Sequence, residues 1–222
     1  MNDQTATVFL VDDDPSILRA LTRLLRAGGH KVSAFNSPGG FLAQHDASVP
    51  GCVVLDLAMP GLSGLELQTA LAAAGCHRPI VFISGHGDIP SSVRAMKAGA
   101  VDFLTKPVSE EYLLAAIERA MERDRLMRDA RAELQAIGER LNRLTPRERE
   151  VFQHVVAGQL NKQIAADLGT VEKTVKVHRS RVMEKMGARS LADLVRIAER
   201  IGLEAIPAYS GSPPDPPETP LR

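Results

Sequence analysis

Five short apolar runs alternate with amphipathic stretches over the first 120 residues. Thr7-Val8-Phe9-Leu10-Val11 is apolar and rich in β-formers, and it stops at Asp12-Asp13-Asp14-Pro15. Short apolar runs bounded by turn residues predict buried strands. Lys31 to Phe35, the run ending Cys52-Val53-Val54-Leu55-Asp56, Pro79 to Ile83, and Val101 to Thr105 predict four more. Between the first two runs, Ile17, Leu18, Leu21, Leu24 and Leu25 recur at helical spacing. Asp14 before Pro15 reads as an N-cap with proline at N1, and Gly28-Gly29 ends that helix. Ser37-Pro38 caps a second helix, and Ser63 with Glu66 has the capping-box spacing that opens a third. Pro90 to Ala98 predicts a short helix, and a long one begins near Ser109. Five strand-helix repeats predict an α/β fold, a doubly wound parallel five-stranded sheet.

The pattern then changes. From Asp124 to Arg143 the chain is charged, helix-favouring and free of proline. Met127, Ala130, Leu134, Ile137, Leu141 and Leu144 fall three and four apart, roughly two and a half heptads. This predicts a helical linker continuing the preceding helix, able to dimerise or to pack on its own domain; Gly138 weakens it. A new all-α domain opens at Leu144-Thr145-Pro146-Arg147-Glu148, with capping-box spacing and proline at N1. Four helices are predicted, over about 146–157, 161–168, 172–186 and 190–201. The second and third flank the short turn Gly169-Thr170-Val171, which is the helix-turn-helix pattern.

Composition adds boundaries. The 222 residues are 44% hydrophobic and 24% charged, as in an ordinary globular chain. Residues 1–123 carry 10 basic against 13 acidic residues, whereas 145–206 carry 11 against 8. An acidic front and a basic back suit two domains with different partners. The divisions expected are 6–123, a linker 124–143, 144–206, and a tail 207–222 with six prolines, read as disordered. No apolar run approaches the roughly 18 residues that span a bilayer, so no membrane partner is expected. Two cysteines suggest no disulfide framework, and a cytoplasmic location is expected.

In a doubly wound sheet the ligand crevice lies at the carboxyl ends of the strands. The residues there are Asp12, Asp13, Asp56, Ser84 and Lys106. Three clustered carboxylates call for a cation, and oxygen-only ligands favour Mg2+. Asp56 is then placed to attack a phosphoryl group, with Lys106 and the Ser84 hydroxyl stabilising its oxygens. Asp14 reads as a cap.

Residues 6–123 resemble the receiver domain of two-component response regulators. The resemblance rests on Asp12-Asp13, on Asp56 before Met59-Pro60-Gly61, on Ser84, and on Lys106-Pro107. It implies a flavodoxin-like fold with Asp56 as phosphoacceptor, and Mg2+ held by Asp12, Asp13, Asp56 and the Ala58 carbonyl. It also implies that Ser84 and Phe103 are switch residues, and that the Lys106-Pro107 bond is cis. Ser84-Gly85-His86-Gly87-Asp88-Ile89-Pro90 further resembles the FixJ-like subgroup, and His86 is a candidate for tuning the lifetime of the aspartyl phosphate.

Residues 144–202 resemble the LuxR-type DNA-binding domain, through Leu144 to Val151, Asn161 to Ala165 and Val171 to His178. A basic helix after a short turn suits the DNA major groove. Its candidates for DNA contact are Lys173, Thr174, Lys176, His178, Arg179, Arg181 and Lys185, with the cations gripping phosphates. Val175 and Val177 read as serving packing and shape rather than hydrogen-bonded readout. Together the resemblances imply a non-enzymatic transcription regulator of the FixJ and NarL type. Its implied partners are a cognate sensor histidine kinase, double-stranded promoter DNA, RNA polymerase and, once phosphorylated, a second copy. Two alternatives remain at this point. Asp12-Asp13-Asp14 loosely resembles the aspartate-x-aspartate motif of haloacid-dehalogenase phosphatases, and a phosphorylation-independent DNA-binding regulator would use the receiver merely to dimerise.

Overall fold

The computed structural model describes residues 6–85 and 89–203. His86 and the proline-rich tail lie outside the described residues. The chain divides between Asp129 and Ala130 into two compact units.

The first unit carries the strands β1 (Thr7–Val11), β2 (Lys31–Phe35), β3 (Gly51–Asp56), β4 (Ile80–Ser84) and β5 (Asp102–Thr105). They form one parallel sheet in the order β2-β1-β3-β4-β5. Between them run α1 (Pro15–Ala27), α2 (Pro38–Gln44), α3 (Gly64–Ala73) and α4 (Ile89–Lys97), and α5 (Glu110–Asn142) follows β5. Successive side chains of a strand point to opposite faces, so the central strands feed two cores. Phe9, Val11, Val53, Leu55 and Phe82 lie in one, with Phe41 and Leu67 from the helices. Val8, Leu10, Cys52, Val54, Val81 and Ile83 lie in the other, with Leu25, Leu113 and Ile117. Burial on both faces is why these runs are continuously apolar.

The predicted caps are present. Asp14 accepts from the Ser16 N–H ahead of Pro15, and Ser63 with Glu66 closes a reciprocal capping box. Two glycines permit close approaches. A Cβ on Gly51 would lie 1.9 Å from the Thr7 carbonyl oxygen, and one on Gly64 would lie 2.5 Å from that of Asp56. Gly64 therefore lets the start of α3 seat against the end of β3.

The strand order reverses between β1 and β3, and the crevice beyond their carboxyl ends is where Asp12 and Asp56 stand. At the other end of β3, the Gly51 N–H donates to the buried carboxylate of Asp124 at 2.8 Å. Asp124 also pairs with Arg128, whose guanidinium donates to the carbonyls of Ala47, Ser48 and Val49.

The second unit contains the C-terminal part of α5 and α6 (Pro146–Val156), α7 (Asn161–Asp167), α8 (Glu172–Met186) and α9 (Leu191–Arg200). Its core joins Phe152, Val155, Ile164, Val175, Val182 and Leu194 to Ile137 and Leu144. The C-terminal part of α5 thus lends side chains to this core. The apolar spacing from Met127 to Leu144 is split in use. Leu134 is 48% exposed, whereas Ile137 is 4% exposed and packed inside its own domain. One helix stripe can serve a partner or a core with the same period, and spacing does not tell them apart. Among the described residues no helix is long and apolar enough to cross a membrane.

Ile137→Ala should lower the stability of the second unit by about 2–5 kcal/mol, the range for a truncated core aliphatic. Leu134→Ala should change it by less than about 1 kcal/mol. Chemical denaturation of the two variants checks this, and equal losses would contradict the division.

Candidate functional site

Asp12 follows β1 directly, where its N–H donates to the Phe35 carbonyl at 3.2 Å. Asp56 is the last residue of β3. Both carboxylates are buried. Lys106 follows β5 and is fixed by its own N–H, which donates to the Ser84 carbonyl at 2.8 Å. The Lys106-Pro107 peptide bond is cis. The Lys106 ammonium donates to Asp12 Oδ2 and to Asp56 Oδ1, each at 2.7 Å. The remaining oxygens are also held. Asp12 Oδ1 accepts from the Asp14 N–H and Asp56 Oδ2 from the Ala58 N–H, each at 2.9 Å.

The electrostatics follow from burial. Burial pushes the Asp56 carboxyl above its ordinary value, against the hydrogen bond and charge of Lys106, which lower it. For Lys106, burial works to lower the pKa, but the hydrogen bonds to Asp12 and Asp56 carry it upward. The ammonium thus stays charged between two buried acids.

The structure brings Asp12, Asp56 and Lys106 into contact. Ser84 is buried at the end of β4. Phe103 is half-buried in β5, its ring centroid 6.3 Å from that of Phe82. Asp13 and Ala58 are exposed beside the crevice. Among the described residues, no three His, Cys, Asp or Glu side chains are grouped closely enough to hold a metal. The all-oxygen donor set fits Mg2+, which takes one or two carboxylates and keeps several waters. Asp14 is occupied elsewhere: its Oδ1 accepts from the Ser16 N–H at 2.7 Å and from the Ser16 hydroxyl at 2.6 Å.

In the second unit, α8 follows a turn that Arg147 secures by donating to the Leu168 carbonyl. Val171 stands at the N-cap of α8 with no side-chain cap. Lys173, Lys176 and Arg181 are exposed, and Lys176 pairs with Glu172 at 3.2 Å. Thr174, His178 and Arg179 are half-buried. Arg179 donates to the Asn161 side chain at 3.3 Å, and His178 Nδ1 is buried without a hydrogen-bond partner. Lys185 is held within the domain, donating to the buried Glu148 carboxylate at 2.6 Å and to the Arg143 carbonyl at 3.2 Å. Its charge therefore serves the domain's interior. Val175 is core, but Val177 is 46% exposed and Ser180 is exposed too. These two share the open face with Lys173, and sequence reading placed neither there. The spacing of Val177 from buried Val175 and Val182 could have shown it, since residues two and five apart do not share a helix face.

Comparison with known proteins agrees with both halves. Residues 8–118 match the response regulator receiver domain, and residues 142–198 match the bacterial regulatory proteins of the LuxR family. The chain is 50% identical over 200 residues to nodulation protein W of Bradyrhizobium diazoefficiens, covering 90% of this chain and 88% of the relative. It is 42% identical over 217 residues to the transcriptional regulatory protein FixJ of Azorhizobium caulinodans, covering 95% and 99%. The solved structure of the response regulator StyR is similar with a TM-score of 0.81 and 47% identity, over 88% of this chain and 99% of that one.

Two pH-linked outcomes follow from the buried acids. The raised Asp56 carboxyl disfavours the folded state once ionised, so receiver stability declines as pH rises from its ordinary value of 3.8. Asp56→Asn should therefore raise the receiver's melting temperature at pH 7; a lower one would contradict this. Glu148 is the opposite case. The Lys185 hydrogen bond, then the Thr145 N–H, hold it at about 2 despite burial. Its stabilisation is complete above its ordinary 4.5 and is lost as pH falls towards 2. The stability of the second unit, read by chemical denaturation, should fall as pH drops across that window in the wild type and stay flat there in Glu148→Gln.

Proposed function

This chain belongs to the response regulators that join a receiver to a LuxR-type DNA-binding domain, and on that premise we propose that phosphorylation of Asp56 controls its grip on promoter DNA. The observation that carries the reading is the Lys106 ammonium shared by Asp12 and Asp56.

A cognate sensor histidine kinase is the phosphoryl donor. A carboxylate oxygen of Asp56 attacks phosphorus, the bond to the donor nitrogen breaks, and the aspartyl phosphate forms. Asp12, Asp13, Asp56 and the Ala58 carbonyl would hold Mg2+, which when bound would offset charge on the phosphoryl oxygens. The protein's own part is electrostatic. The phosphoryl group adds up to about two negative charges beside buried Asp12. Lys106 turns from the Asp56 oxygen to the phosphoryl oxygens, and the Ser84 hydroxyl approaches them from the end of β4. Lys106 and Ser84 are already joined through the backbone, so their movements are linked. The Phe103 ring, packed near Phe82, follows as the second switch residue. This biases a two-state element towards a dimer. Two copies then place two α8 helices on two half-sites, from which the protein contacts RNA polymerase.

The phosphatase alternative gains nothing here. Its motif needs a second aspartate at Asp14, and that carboxylate caps α1. Nor does any contact favour a receiver that ignores phosphate.

With Mg2+ and a small acyl phosphate, the wild type should dimerise in sedimentation and bind its promoter DNA at least about fivefold more tightly, within the usual range of coupling. Asp56→Asn should do neither. Equal responses in both proteins would overturn the reading. The lysines of α8 are separable as well. Lys173→Ala or Lys176→Ala should weaken binding to every DNA sequence and reduce the salt slope by about 1. Lys185→Ala should instead lower the melting temperature and leave the salt slope unchanged.

A further inference from the structure

Arg78 lies just before β4, at the far end of that strand from Ser84. It is 6% exposed. Its guanidinium sits 4.1 Å over the Phe9 ring, and Nη2 donates to the Asp46 carbonyl at 2.8 Å. Nε and Nη1 are buried with no hydrogen-bond partner. Among the described residues no carboxylate forms an ion pair with it. A buried cation with two unfilled donors is costly unless an acceptor lies beside it.

The group against it is the thiol of Cys76, which is free and half-buried. Thiol sulfur is a weak acceptor. Cys76, Arg78 and Gln68 line one cavity of about 150 Å3. Gln68 donates through Nε2 to the Ala95 and Ala98 carbonyls, while its Oε1 is buried and unpartnered. The residues that line the cavity thus carry two unfilled donors, an unfilled acceptor and a thiol. It has room for a hydrogen peroxide molecule, about two water-sized volumes of ~30 Å3 each. Cys52 is a different case, fully buried with its thiol pushed up to about 12 by burial.

We propose that Cys76 is a peroxide-reactive thiol whose sulfenic acid is held by Arg78 and Gln68. A sulfur lone pair attacks one peroxide oxygen, the S–O bond forms, and the O–O bond breaks. The hydroxide that leaves takes the thiol proton and departs as water. Sulfur loses two electrons and peroxide gains them. The product supplies what the cavity lacks: its oxygen accepts from the Arg78 N–H groups, and its O–H donates to Gln68 Oε1. The reactive position lies at the opposite end of β4 from the carboxylate crevice, so the inference stands apart from the role of Asp56.

The test uses the full chain, hydrogen peroxide and dimedone, which traps sulfenic acids, with peptide mass mapping. Wild type should gain one adduct, at Cys76, and Cys76→Ser should gain none. Arg78→Lys and Arg78→Met, checked for native melting, should label at least about tenfold more slowly. A second measurement needs no substitution. In the folded wild type, Cys76 should label faster than in the same protein unfolded in urea. Labelling at Cys52, no labelling of the wild type, undiminished labelling in folded Arg78 variants, or faster labelling in urea would each overturn the proposal.

Discussion

One ammonium stands between two buried carboxylates. Lys106 reaches Asp12 and Asp56 at 2.7 Å each, and without it two like charges would share a crevice with little water. The fold supplies each participant from a different strand end, β1, β3 and β5. The reversal of strand order between β1 and β3 opens the crevice, and the apolar cores on both faces keep the strands in register. The compensation is incomplete, because burial still leaves the Asp56 carboxyl above its ordinary value. On the proposed reading, phosphorylation gives Asp56 a covalent partner and Lys106 new oxygens to hold.

The second unit uses the same device for a different purpose. Lys185 on α8 meets the buried Glu148 at the start of α6, and Glu148 also closes the capping box of that helix. Here the acid is held well below its ordinary value, so the pair is a fastening. The contrast separates a carboxylate held below its ordinary value from one pushed above it. It also narrows the open face of α8 to Lys173, Lys176, Val177, Ser180 and Arg181, flanked by Glu172 and Glu184.

Most of the fold was legible because its signals are local. Strand runs with both faces buried, Asp14 before Pro15, and the capping boxes at Ser63 and Thr145 act within a few residues of themselves. The crevice was legible for the same reason, since each of its residues closes a strand. What escaped the sequence is long-range. Nothing near Lys185 announces Glu148, 37 residues away, and nothing near Arg179 announces Asn161. The helix expected to run on from the receiver does so through Gly138, where the loss of helix propensity is local and the packing of Ile137 and Leu144 that offsets it is not. Asp124 looked like one more charge in a charged helix, yet it ties down the start of β3.

The central claim is that Asp56 is the carboxylate that takes the phosphoryl group. Intact mass after incubation with Mg2+ and a small acyl phosphate, followed by peptide mapping, tests it most directly. The account predicts a single phosphoryl gain on the peptide containing Asp56, absent from Asp56→Asn. A gain that survives the substitution, or that maps to another residue, would contradict it.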